Sequence, residues 1–213
     1  MQSLIIFWDR IDRMNARRAL SDIREIGDTL ARAQHTSCFR AAPIALTAII
    51  AFAFAMLPGV CIEPMAAGQS FFVYYWLGIA ILNLLIVCVD LGVRYLKTDS
   101  ELQRGKTRNS LYQFTPCVFI GAYSTLTLLP LGRHSDSLLP GLWCVLMSLG
   151  IFATVNNAPK AMVFPAAFYA IAGGLFWRFE EWTVELGAWS MGLSFGIGQA
   201  WMALVLWRGP HDD

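Results

Sequence analysis

Neither lysine nor histidine occurs in the middle of any long apolar stretch of this 213-residue chain. The three histidines, His35, His134 and His211, stand among polar residues, which argues against a histidine-ligated haem inside a bilayer. Without a mid-stretch lysine there is no anchor for a retinal Schiff base. HExxH, GxSxG, Walker and GxGxxG patterns are all missing. The apolar stretches hold neither paired aspartates nor serine with histidine, so an intramembrane protease is excluded as well. The five cysteines, Cys38, Cys61, Cys88, Cys117 and Cys144, form no CxxC or zinc spacing. They read as small packing residues without a structural disulfide. Net charge is only +1, and no basic cluster offers a nucleic-acid surface. The expectation is a chain that is not an enzyme, with no cofactor, no metal and no nucleic-acid partner.

What is abundant is apolar sequence. Hydrophobic residues make up 56% of the chain, against ~45–50% in soluble domains. They fall into six blocks, at about 43–60, 71–96, 111–130, 138–155, 161–177 and 184–207. Each block approaches the ~20 residues a helix needs to cross ~30 Å of hydrocarbon. The predicted fold is therefore all-α, a polytopic membrane protein with six transmembrane helices in one domain, 41–208. A cytoplasmic tail, 1–40, precedes it and a short one, 209–213, follows.

Basic residues orient the spans. With the N-terminus inside, Arg10, Arg13, Arg17, Arg18, Arg24, Arg32 and Arg40 fall in the tail. The loop after span two carries Arg94, Lys97, Arg104, Lys106 and Arg108, and Lys160 and Arg208 mark two further inner ends. Only Arg133 and Arg178 fall outside. Fourteen of the 16 basic residues thus sit on one side, which sets both termini in the cytoplasm. Because a leader of some forty residues, rich in charge, precedes the first block, that block reads as a retained span rather than a cleaved signal.

Between Ile11 and Ala33 apolar residues recur at spacings of three and four among Arg and Asp. That is an amphipathic helix, lying on the inner leaflet or packed on the inner ends of the spans. Leu57-Pro58-Gly59 stops span one, and Phe71 to Trp76 forms an aromatic belt at the start of span two. Pro116 allows a kink in span three. Leu128-Leu129-Pro130 and Leu138-Leu139-Pro140 bracket a short loop holding Arg133, His134 and Asp136. Asn156-Asn157-Ala158-Pro159-Lys160 joins spans four and five, with the asparagines as capping residues. In span six Ala188, Gly192, Gly196 and Ala200 recur every four residues, a groove for close helix approach. Ala166, Ala170 and Gly174 repeat the feature in span five, making span five the expected occupant of that groove and a second copy the alternative.

Polar residues within the spans are few. Asp90 is the one carboxylate in a span away from its end residues, and Asn83 stands two turns earlier on the same face. Arg94, four residues after Asp90, is placed for a helical ion pair. Gln199 lies beside the span-six groove and suits a helix-to-helix hydrogen bond. Asn83, Asp90, Arg94 and Gln199 therefore form the candidate intramembrane polar site, read either as structural pairing or as a polar pathway.

Two segments carry a resemblance. Asp22-Ile23-Arg24-Glu25-Ile26 with Leu30-Ala31-Arg32-Ala33, and Leu139-Pro140-Gly141-Leu142-Trp143, are similar to a pre-membrane helix and an LPGLW segment in uncharacterised bacterial six-span integral membrane proteins. Where that group has glycines and an arginine at the turn after span four, this chain has Asn156, Asn157 and Lys160. The resemblance implies a bacterial inner membrane and carries no activity. The expected role is a non-catalytic accessory, regulatory or scaffold subunit, packing against a membrane partner or itself within the lipid bilayer. The alternative is a small dimeric transporter or channel with its polar site around Asn83 and Asp90.

Overall fold

The structure is a computed structural model that describes residues 39–57, 69–98, 100–128, 130 and 133–209, with the backbone alone at 69–71, 133–136 and 184. The chain divides into two units, Met1–Thr36 and Ser37–Asp213. The described residues belong to the second. The amphipathic segment 11–33 and residues 210–213 lie outside them.

Seven α-helices occur among the described residues, and no strand. They are α1 Ala41–Met56, α2 Gln69–Lys97, α3 Glu101–Leu128, α4 Arg133–Thr154, α5 Val163–Arg178, α6 Glu180–Leu186 and α7 Ala188–Arg208. Four segments are long and apolar enough to cross a membrane: Phe72–Lys97, Ser137–Asn157, Lys160–Arg178 and Ala188–Arg208. The 16-residue α1 is apolar but shorter, about 24 Å at the usual rise per residue. It ends where Leu57 turns extended, φ −63° and ψ 118°, as a residue before proline must.

Helix ends differ from the sequence expectation in three places. The basic segment after span two is helical, not a loop. Only residues 98–100 separate α2 from α3, because Leu102 to Arg108 are mostly good helix formers and Glu101 suits the positive end of the helix dipole. Arg104 reaches back to Glu101 at 3.7 Å and lies 5.7 Å from the Tyr95 ring centroid. The loop before span four is likewise shorter, since α4 begins at Arg133 and takes Pro140 into its interior. Finally, the segment expected as the last loop folds as α6. It is divided from α7 by Gly187, whose φ of 51° suits a residue without a Cβ.

Two helix pairs dominate the packing, α1 with α7 and α4 with α5, and α3 lies along α4. One core gathers Ile44, Cys144, Ile151, Met162, Tyr169 and Met202 from α1, α4, α5, α7 and the short turn at Lys160–Met162. A second gathers Ala55, Trp76, Ile79, Leu139 and Met191, tying the first half of α2 to α1, α4 and α7.

Candidate functional site

The groove in α7 is filled by α1, and this corrects the expectation that span five fills it. A Cβ on Gly192 would run into Ala55, and one on Gly196 would sit 2.7 Å from the Phe52 ring. The reason lies in α1 itself, where Ala48, Ala51 and Ala55 are all buried at spacings of three and four. A small-residue face on each helix lets the two backbones approach. Ala188 is buried with the two glycines, whereas Ala200 is exposed and stands outside the contact. Helix α5 instead meets α7 through the Tyr169 ring, which lies where a Cβ on Gly198 would go. Its closest approach is to α4, where a Cβ on Gly173 would be 2.9 Å from the Gly141 carbonyl oxygen. Of the small residues expected on α5, Ala166 is buried, Ala170 is exposed and Gly174 faces open space.

The candidate polar residues lie on two helices. Asp90 meets Arg40, the residue before α1, at 4.0 Å, with side-chain exposures of 22% and 64%. Arg94 follows one turn later and is half-buried. Asn83, about 10 Å along the axis from Asp90, is half-buried, and its Oδ1 is buried without a hydrogen-bond partner. Gln199, on α7, is buried, and its Oε1 also lacks a partner. A buried acceptor left unmade costs about 1–3 kcal/mol, so each amide oxygen is a place where a donor would be gained.

Other polar side chains in the helices are mostly satisfied. Ser190 and Ser194 donate back to the Gly187 and Ser190 carbonyls at 2.7 and 2.6 Å. Tyr169 donates to the Phe195 carbonyl at 3.4 Å, and Trp143 Nε1 to Thr125 Oγ1 at 3.1 Å. Asn157 was expected to cap the turn after span four. Its Nδ2 instead donates across to Gln113 Oε1 of α3 at 3.4 Å, and the turn has no side-chain cap. Ser137 of α4 donates to Glu180 of α6. The arrangement offers amide hydrogen bonding and one ion pair.

In sequence, Arg40 bears only on the orientation of the spans. Fifty residues separate it from Asp90, and no local spacing could have joined them. The alanine face of α1 did carry a signal, because Ala48, Ala51 and Ala55 repeat at helical spacing just as Gly192 and Gly196 do. Comparison with family models, with curated proteins and with solved structures finds no match.

Proposed function

We propose that this chain is a non-catalytic accessory, regulatory or scaffold subunit of a bacterial inner membrane, crossing it six times with both termini cytoplasmic. In this reading α1 and α3 complete the six spans, and the N-terminal tail stays with the basic residues on the inner side. The observation that carries the role is the condition of α2. Phe72–Lys97 is long and apolar enough to cross a membrane, yet only 22% of its apolar window is buried, against 50% for Ser137–Asn157 and for Ala188–Arg208. Leu82, Leu85, Val89 and Val93 are all exposed along it. Asn83, half-buried on the same helix, gives a partner helix a polar side chain to meet beside this apolar surface.

Purification in mild detergent tests this reading. The expected result is a stable complex, with a second membrane protein or a second copy, that Asn83→Leu weakens while the free chain keeps its melting temperature. A chain that runs alone at every detergent strength would overturn it.

A small dimeric transporter or channel is the second reading. It is supported by the two orphan amide oxygens, Asn83 Oδ1 of α2 and Gln199 Oε1 of α7, and by the pair that Asp90 of α2 makes with Arg40. Charged groups in spans are costly to keep and commonly mark ion or substrate paths.

A further inference from the structure

We propose that α6, with the Arg178–Phe179 bend before it, is a lipid-interface element that lies in the boundary between headgroups and acyl chains. The inference rests on the membrane reading of the flanking helices and concerns a surface that no part of the accessory role uses. The helix is seven residues long and sits between two segments able to cross a membrane, Lys160–Arg178 and Ala188–Arg208. Its position in the chain therefore places it at a membrane boundary whichever way the protein faces.

The helix has three distinct sides. Thr183 points inward and is buried, and Glu180 accepts a hydrogen bond from Ser137 of α4. Trp182 and Leu186 are exposed, 46% and 38%. Being four residues apart, they lie within ~40° of each other around the axis. Glu181 and Glu185, also exposed, form a second pair, turned by ~100° from the first and away from the buried side. One side thus meets the protein, one is apolar and one is acidic. A helix wholly in water has no use for the apolar side, and one wholly in hydrocarbon could not keep the acids charged.

The bend enlarges the apolar side. Phe179 stacks on Trp182 with ring centroids 4.5 Å apart, and Trp177, two residues earlier in the chain, is partly exposed while its Nε1 donates to the Leu138 carbonyl of α4 at 3.3 Å. Arg178 lies over the Phe179 ring at 5.2 Å. A guanidinium seated above exposed aromatic rings at a boundary matches lipid chemistry. The rings enter the acyl edge and the cation meets the phosphate of a phospholipid. Gly187 then turns the chain into α7, and Ser190 closes that turn on the Gly187 carbonyl at 2.7 Å.

Spin labels placed singly at 181, 182, 185 and 186 test the surface. Cys38, Cys61, Cys88 and Cys117 are replaced by Ala, leaving only the fully buried Cys144, and the protein is reconstituted in phosphatidylethanolamine–phosphatidylglycerol vesicles. Positions 182 and 186 are expected to be more accessible to oxygen than to a water-soluble nickel reagent, and 181 and 185 the reverse. High nickel accessibility at all four would mean a helix standing in water. Closure of 182 and 186 to both reagents would mean that protein covers this face. Either result overturns the proposal. A label at Ile171, 64% exposed midway along Lys160–Arg178, separates its failure from failure of the membrane reading, because position 171 must favour oxygen if α5 is in lipid at all. If a label disturbs the fold, bromolipid quenching of the unlabelled chain decides. Trp182→Phe should lower quenching by bromines near the headgroup, with Trp177 and Trp207 still contributing, and an unchanged quenched fraction would equally overturn the assignment.

Discussion

Helices α2 and α7 are both long enough to cross a membrane and both carry glycine, yet their glycines meet opposite surroundings. On α7, a Cβ at Gly192, Gly196 or Gly198 would collide with Ala55, Phe52 or Tyr169. On α2, a Cβ at Gly78 or Gly92 would meet nothing within 4 Å. Helix α7 spends its small residues on contacts already made within the chain, through α1 and α5. Helix α2 is held over its first half by Phe72, Val73, Trp76 and Ile79 and then leaves most of its surface uncovered. A glycine stripe in a membrane helix is thus no evidence of oligomerisation until its occupant is known. The more exposed surface is on the helix whose glycines meet nothing within 4 Å.

The largest expected effect comes from closing the α7 groove. Gly192→Ile or Gly196→Ile places a branched side chain against Ala55 or Phe52, and α1 must withdraw. Overpacking of this kind costs about 1–3 kcal/mol, and displacing a whole helix belongs at the upper end. The melting temperature of the purified chain should fall for both variants, with a smaller fall for Ala200→Ile, whose position is exposed. A normal melt for Gly192→Ile together with loss of a complex would put a partner in the groove in place of α1.

Much of the architecture was legible in the sequence, because hydropathy runs and helix length are local properties. The apolar blocks near 71–96, 138–155, 161–177 and 184–207 coincide closely with the four helices able to span a bilayer. The ends of elements were harder to read. Arg104, Lys106 and Arg108 look like a loop by polarity, but polarity says where a segment sits and not whether it is helical. Gly187 falls inside the last apolar block, and only its backbone angle reveals the break. Helix pairing was legible only as a set of small-residue faces, without their partners. The groove on α7 fits any helix with a small-residue face, and Ala48, Ala51 and Ala55 of α1 supply one as well as Ala166 and Ala170 of α5. The candidate polar site shows the same limit, because Asp90 has Arg94 one turn away in sequence and meets Arg40 in space.

A smaller effect is expected at that ion pair, which lies on the sparsely covered helix. Arg40 is mostly exposed, so water solvates its charge whether or not Asp90 is near. Exposed pairs contribute about 0–1 kcal/mol. Arg40→Gln and Asp90→Asn should each lower the melting temperature only slightly, and the double variant should do no worse than the more harmful single one. Replacing Asp90 and Arg94 together by leucine should likewise leave expression near that of the parent. A fold kept intact while a measurable ion flux in vesicles disappears would move the transporter reading ahead of the accessory one.

The smallest effect sharpens the contrast between the two helices most. Gly78→Ala and Gly92→Ala add one methyl group where the chain leaves open space, and both positions are inside a continuous helix. Alanine restricts the unfolded backbone and suits a helix better than glycine, by up to ~1 kcal/mol. The melting temperature of the free chain should therefore hold or rise by a degree or two, opposite in sign to the change at Gly192. The two alanines also report on what covers α2 in the membrane. Against lipid, whose acyl chains rearrange around a methyl group, the complex isolated in mild detergent should be unaltered. Against a partner helix that approaches backbone to backbone, the same methyl would hold the two apart and the complex should dissociate at lower detergent concentration. A destabilised free chain would contradict both outcomes, because among the described residues no neighbour stands within 4 Å of a Cβ at Gly78 or Gly92.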